Sequence, residues 1–365
     1  MRFPKFEGEW EECVLGKIAS ISKGAGISKD QLSKEGLPCI LYGELYTTYK
    51  SEVINEILSR TNIDATNLVR SEANDVIIPS SGETAIDIST ACCIPFNNIL
   101  LGGDLNVIRL HNGDGSFFSY QLNGRRKYDI ATIAQGVSVV HLYGDSLKRL
   151  KVYYPSNEEQ HKIASLLSLI DDRIEAQIKI IEKLKSLIKE LSYILLSKKV
   201  QRVKLQDCLT CHSSTLTESE VLEQEGIYPV YGATGIIAYT PQYDIYENSI
   251  LIIKDGAGVG RVQYAKDKYS VTGTLNYLTS KENVSLKYIY YCLQIFNFDK
   301  YKVGSGIPHI YFKDYGNESI YCPSIEKQQE ITNILSAIDE KIKIEQNMLS
   351  GYKQQKKYLL AKLFI

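Results

Sequence analysis

The sequence predicts an α+β chain: two mostly β domains separated by two long α-helices that form an antiparallel coiled coil, the whole built as an internal repeat with pseudo-two-fold symmetry. Three observations lead there. Pro155–Ile163 aligns without a gap on Pro323–Ile331, and Leu167–Asp171 on Leu335–Asp339, so that about half of the first twenty positions are identical. Each copy then carries apolar residues in steps of three and four, which is the spacing of a coiled-coil seam. The stretches before the two copies read instead as short strands bounded by Gly, Pro, Asn and Asp. The boundaries that follow are a first domain over 1–154, a first long helix over 155–200, a second domain over 201–322 and a second long helix over 323–365.

In the first domain the strand candidates are Val14–Ile21, Cys39–Tyr42, Asp75–Ile78 and Leu105–Leu110, with a helix around Phe117–Asn123. The first long helix opens with Pro155 and a capping box, Ser156 three residues before Glu159. Its seam begins Ile163, Leu167, Ile170, Ile174. The second domain offers strands at Val203–Leu209, Ile227–Tyr231, Ser249–Lys254, Arg261–Ala265 and Leu275–Thr279 and a helix near Leu286–Ile295. The second seam begins Ile331, Leu335, Ile338, Ile342, and polar residues at Glu345 and Lys356 thin it further on. The domains are themselves related: Asn74–Gly82 lies on Asn248–Gly256, Gly103–Asn106 on Gly273–Asn276, and Gly136, His141 and Tyr143 on Gly304, His309 and Tyr311. One unit of domain plus helix is used twice.

Composition narrows the function classes. A formal net charge of −1 gives no global positive field for nucleic acid, so any phosphate contact must be local. The eight cysteines are irregularly spaced and no apolar run reaches membrane-span length, which points to the reducing cytoplasm and no membrane. Cys208-Leu-Thr-Cys211-His212 spells the c-type haem attachment pattern, yet it opens the second repeat unit and reads better as a strand with incidental thiols. No phosphate loop, zinc-protease helix, nucleophile elbow or Asn-Pro-Pro methyltransferase tetrapeptide occurs. No catalytic residue and no metal site is therefore assigned.

What remains is a set of polar and basic loop residues with the chemistry to touch DNA. In the first domain these are Lys23, Lys29, Ser80, Ser81, Thr84, Arg125, Arg126, Gln135, Ser138 and His141. In the second they are Thr234, Lys254, Arg261, Lys302, Ser305, His309 and Lys313. The glycine-rich run Lys254–Gly260 reads as a turn between strands, with DNA-backbone contact as the functional alternative. The loops before His141 and His309 stand out because they recur at one position of both units. Each histidine reads a base edge or a phosphate, or packs against the start of the helix.

The helix openings, Pro-Ser-x-Glu-x-Gln-x-x-Ile followed by Leu-Ser-x-Ile-Asp-x-x-Ile, each behind a domain, resemble the specificity (S) subunit of type I restriction-modification systems. Trp10–Ile18 fits the family's domain opening, whereas Val203–Cys208 lacks the Trp. The resemblance spans essentially the whole chain. It implies a non-catalytic DNA reader with two target recognition domains, each specifying half of a bipartite double-stranded target. The helices would set the spacing and dock two methyltransferase (M) subunits, with restriction motor-nuclease (R) subunits joining. S-adenosylmethionine, Mg²⁺ and ATP would belong to those partners and none to this chain. The alternatives are the specificity chain of a related system with a single combined methyltransferase-nuclease partner, and a coiled-coil scaffold without a DNA role.

Overall fold

A computed structural model describes residues 2–49, 51–256 and 258–364. The chain forms two compact units, one of Met1–Ile178 with Asn347–Ile365, the other of Lys179–Gln346. This division differs from the four consecutive segments read from the sequence. Each β domain takes part of both long helices, because a seam of one helix is buried only where a second lies beside it.

In the first unit a four-stranded antiparallel sheet has the order Ala19–Lys23, Leu105–Leu110, Asp75–Pro79, Cys92–Ile94. Its strand Asp75–Pro79 is buried on both faces, with side chains alternating between two layers. Val76 and Ile78 face a core shared with Phe117, Phe118 and Tyr120 of a short helix, Gly115–Asn123, and with Ile163, Leu167 and Ile170 of the first long helix. Ile77 faces a second core with Ile40, Leu45 and Leu101, under a smaller sheet that contains one parallel pair, Cys39–Ile40 with Leu100–Leu101.

The second unit repeats this layering. Its main sheet runs Leu209–Ser213, Leu275–Ser280, Ser249–Ile253, Val262–Ala265. Ile250 and Ile252 face the short helix Leu286–Gln294 and the long helices, while Leu251 and Ile253 face the smaller sheet, which again contains a parallel pair.

Two expected strands differ from the sequence reading in the same way. Val14–Ile21 is broken by a one-turn helix at Leu15–Ile18, and Val203–Leu209 by one at Leu205–Cys208. At both places a fully buried leucine turns the chain from a closing ribbon into the main sheet, its amide donating to the backbone carbonyl of Leu150 or Glu318 at 2.8 and 2.9 Å. The turn also divides the haem-like pattern between two elements, Cys208 on the turn and Cys211 and His212 on the strand. Cys208 ends the turn in the core, whereas His212 on the next strand stacks on Tyr277 and meets Thr279.

The long helices span Asn157–Leu196 and Ile325–Lys362. They run antiparallel: late residues of the second, Leu359 and Leu363, share a core with Ile163 and Leu167, while its early Ile331 and Leu335 share one with Leu191 and Leu196. The residues repeated in their openings fasten the short helices. Buried Gln160 accepts the Asp114 amide at 3.0 Å and donates to the Pro155 carbonyl at 2.8 Å. Gln328 does the same with Ser285 at 2.9 Å and Pro323 at 2.8 Å. One level further on, the Tyr120 hydroxyl donates to Asp171 at 2.8 Å and the Tyr291 hydroxyl to Asp339 at 2.7 Å. Burial and the neighbouring carboxylate raise both tyrosine pKa values.

The expected capping box departs from this scheme. The Glu159 carboxylate, fully buried, is gripped instead by Arg2 through hydrogen bonds of 2.8 and 2.7 Å, a bidentate charge-assisted pair stronger than a bond to one amide.

The polar residues expected to thin the second seam are themselves paired. Glu345 is buried and meets Lys341. Lys356 lies between Asp171, at 2.5 Å, and Glu52, all three nearly buried. Burial pulls the Lys356 ammonium down, but the two carboxylates outweigh it and leave its pKa raised; burial raises that of Glu52 against the pull of Lys356. Replacing Lys356 by Met strands two buried carboxylates at a cost of about 3–5 kcal/mol. Without the ammonium, the folded-state pKa of Glu52 rises further above its unfolded value. The loss should therefore be full at neutral pH and shrink as pH falls through the carboxylate range. Urea melts of wild type and variant at several pH values measure it, and a pH-independent difference would contradict the buried triad.

Candidate nucleic-acid interface

Each unit builds the same backbone edge where the central strand leaves its sheet. In the first, the Ser80 amide donates to Asp104 O at 2.8 Å, and the Leu142 amide donates to Ser80 O at 2.9 Å. Ser81–Gly82 then pairs with Val140–His141. Gln135 and His141 exchange backbone hydrogen bonds of 2.9 and 2.7 Å, closing a hairpin whose tip is Gly136-Val-Ser-Val139. Gly136 has φ +122, and a Cβ there would lie 2.1 Å from the Val139 carbonyl, so the tip needs glycine. Lys23 ends the neighbouring strand opposite Asn106, whose side-chain amide donates to Leu142 O at 2.9 Å. The edge thus gathers Lys23, Ser80, Ser81, Gln135, Ser138 and His141. Ser138 and His141 are exposed, and the His141 ring stacks on Tyr143.

In the second unit Lys254 stands where Ser80 does. Its amide donates to Thr274 O and its carbonyl accepts from Ile310 N–H, both at 3.0 Å. Asp255 bridges to His309 as Ser81 does to His141. Val303 and His309 close the matching hairpin at 2.9 and 2.8 Å, with Gly304 at φ +93. The side chains on this common frame differ. His309 Nδ1 lies 2.5 Å from Asp255 Oδ1, which fixes the ring, and Ser305 is exposed at the tip beside Ile307. Lys313 sits over the ring of Tyr311.

Other candidates fall elsewhere or have other duties. Lys29 lies in a 3₁₀ turn, Lys29–Gln31, leading into the smaller sheet. The Ser80 and Ser81 side chains are buried, so that position offers backbone and shape. Thr84 Oγ1 accepts the Asp87 amide at 3.1 Å and caps a turn. Arg125 is exposed beyond the first short helix. Arg126 next to it is held by Asp129 at 2.8 Å and lies over the Tyr153 ring at 4.6 Å. Thr234 tips the hairpin between Tyr228–Gly232 and Gly235–Thr240, and Arg261 precedes the edge strand of the main sheet. Lys302 pairs with Asp299 at 2.7 Å. Of the seam residues, Ile163, Leu167, Ile170, Ile331, Leu335 and Ile342 are buried inside the chain, and Ile174 and Ile338 are half-buried. The loop reading passed over Tyr143, Tyr311, Val137, Val139 and Ile307, all exposed on the two hairpins. The repeat carried a signal for the tyrosines, which align; apolar loop residues gave none.

Among the described residues, no group of three His, Cys, Asp or Glu side chains could hold a metal ion, and no helix is long and apolar enough to cross a membrane. Two stretches, residues 7–186 and 197–351, match the type I restriction modification DNA specificity domain. The chain belongs to this family. A Mycoplasma genitalium protein provisionally named a type I specificity subunit is 24% identical over 379 residues, covering 97% of this chain and 94% of its own. The crystal structure of a type I restriction-modification system S subunit from M. genitalium has a TM-score of 0.70 at 20% identity, covering 100% of this chain and 99% of that one. A chain solved in work on complex assembly and conformational transition of the type I system has a TM-score of 0.59 at 14% identity, over 98% and 97% of the two chains. The fold is shared with both. As a type I specificity subunit, the chain is a recognition component and not a catalyst.

The geometry separates two lysine and arginine candidates that the sequence treats alike. Lys254→Ala should weaken DNA binding on many sequences and lower the salt slope by about one. Arg126→Ala should leave that slope unchanged and cost about 1 kcal/mol of stability through its lost ring and ion-pair contacts. Salt titrations of DNA affinity, paired with thermal melts, decide between these outcomes.

Proposed function

We propose that this specificity subunit reads a bipartite double-stranded DNA target, one half through each domain, with the two hairpin edges as the elements presented to DNA. The observation that carries this reading is that one backbone edge is built twice with different side chains. Lys254, Asp255, Ser305 and Ile307 replace Ser80, Ser81, Val137 and Val139 on a common frame. Two sites with one shape and two chemistries suit two different half-sites. The exposed Ser138, Ser305 and His141, with the half-buried His309, are of the type that reads base edges, and Lys23, Lys254 and Lys313 supply local charge despite the net −1.

In this reading the long helices set the separation of the half-sites and dock two methyltransferase subunits, which restriction subunits then join. Adenine methylation and ATP-driven cleavage, with S-adenosylmethionine, Mg²⁺ and ATP, lie on those partners. Genome-wide mapping of methylated adenine with and without this chain tests the proposal. A two-part motif that disappears on deletion supports it, and an unchanged methylome overturns it.

The rod gives a sharper test. The first long helix ends at Leu196, so residues added after it lengthen only a linker; the ruler lies in the helices themselves. Four helix-forming residues inserted after Ile178, with four more after Gln346, keep the antiparallel seams matched. They add about 6 Å and about one turn. The unspecified spacer should grow by one or two base pairs, at about 3.4 Å each, with both half-sites unchanged. A methylome of the variant with the original spacer would show that the rod does not set the separation.

A further inference from the structure

Three of the four thiols in the second unit meet at one joint of its core. Cys208 closes the one-turn helix Leu205–Cys208, Cys292 lies on the short helix Leu286–Gln294, and Cys322 follows the closing strand Ser319–Tyr321, just ahead of the second long helix. Cys208 and Cys292 are buried in the same core as Tyr321, with Cys322 half-buried against it. The joint is pinned from two sides. The Tyr288 hydroxyl donates to the Tyr321 carbonyl at 2.8 Å, and the Cys322 amide donates to the Gln201 carbonyl at 2.9 Å. The first unit has Ile18, Gln121 and Tyr154 at the three matching positions, so it carries no thiol there.

The sulfurs at this joint differ in chemistry. Cys322 accepts from the Gln328 side-chain amide at 3.5 Å. It also accepts from the Cys208 thiol beside it, which draws its pKa below the ordinary thiol range against the opposing effect of burial. The second long helix begins three residues further on, and the positive end of a helix favours a thiolate. Donation to Cys322, with burial, pushes the Cys208 thiol up. Burial raises the Cys292 pKa to about 12. It raises that of Cys211, the other half-buried thiol of this unit, to about 11. One sulfur is thus a nucleophile that solvent can reach and its neighbour a sheltered thiol, the combination that a hydroperoxide converts to a disulfide.

We propose that Cys322 and Cys208 form a hydroperoxide-sensitive pair whose oxidation closes the second domain with a reversible disulfide. The Cys322 thiolate attacks one oxygen of the hydroperoxide and the O–O bond breaks. The departing hydroxide or alkoxide takes a proton from solvent, replacing the one Cys322 had released, and leaves as water or an alcohol. Cys322 is then a sulfenic acid. The Cys208 sulfur attacks the Cys322 sulfur, the S–O bond breaks, and the hydroxyl leaves as water with the Cys208 proton. Two thiols have lost two electrons and the hydroperoxide has gained them; a dithiol reductant reverses the change by exchange. Cys208 stands where the chain turns into the main sheet and Cys322 where it leaves the last strand, so the bond closes a loop of about 115 residues that contains every strand of that sheet. Such a link restricts the unfolded chain far more than the folded one. The pair acts whatever ligand the domain reads.

The test treats the full reduced chain with hydrogen peroxide, alkylates the remaining thiols and maps the cysteines by peptide mass spectrometry, with hydrogen exchange measured before and after. Cys208–Cys322 should be the first disulfide to form. Amides of the central strand Ser249–Ile253 should then exchange on the order of a hundredfold more slowly. Those of Asp75–Pro79 in the first unit should not change, and dithiothreitol should restore the original rates. Cys322→Ser, at a half-buried position, should lose both the bond and the added protection. Cys208→Ala should leave a Cys322 sulfenic acid that dimedone traps. Exchange of each reduced variant against reduced wild type checks that it folds. A first disulfide between other cysteines, oxidation of Cys322 no faster than that of Cys211, or a Cys208–Cys322 bond without slower exchange would overturn the proposal. So would added protection that persists in Cys322→Ser after the same treatment.

Discussion

The attachment of each short helix to its long helix by a buried glutamine and a tyrosine–carboxylate bond holds the rest of each unit in place. Gln160 satisfies the amide that opens one helix, which a helix start otherwise leaves bare, and the buried carbonyl that precedes another. Left unpaired in this environment, either group would cost about 1–3 kcal/mol. Tyr120 and Asp171 add a second fixed point along the same helix, and two points set both the position and the direction of a rigid rod. Gln328, Tyr291 and Asp339 repeat the arrangement. The main sheet rests on the short helix, and the hairpin edge grows from the sheet, so the edge inherits its placement from these few polar contacts.

Much of the fold was legible because the repeat exposes it. The residues that match between the two helix openings turn out to be the ones that fasten the domains, and the buried strands Asp75–Pro79 and Ser249–Ile253 announce themselves as unbroken apolar runs. The one-turn helices at Leu15–Ile18 and Leu205–Cys208 were not legible, since only a distant carbonyl makes the turn favourable. Lys356 read as a flaw in the seam for the same reason. Its partner Glu52 lies about three hundred residues earlier, beyond any local pattern. At the hairpin edge, the alignment of Gly136, His141 and Tyr143 with their counterparts located the loops correctly. It could not distinguish an arginine occupied by Asp129 from one free to meet a ligand, because that depends on what packs around it.

The two units show how a duplicated frame diverges. Backbone hydrogen bonds at the edge are matched one for one, whereas the side chains they carry are not. Where a serine faces His141 across the bridge, an aspartate faces His309 and orients its ring. Divergence of this kind costs little, because the frame is held by main-chain groups and by glycine at the tip, and so does not depend on the residues that vary.

The first unit is completed by the end of the second long helix and the residues just after it. Phe364 packs against Trp10 and Phe117, and Leu359 and Leu363 close the core around Ile163 and Leu167. On the ribosome, where the amino-terminal end emerges first, this domain must wait with an open core until the second long helix has left the exit tunnel. The second domain, whose parts lie between residues 179 and 346, has no such delay. Nascent chains therefore complete their two domains in reverse order, the later-made one first. A message truncated before Leu359 yields a protein whose second domain is whole and whose first is not.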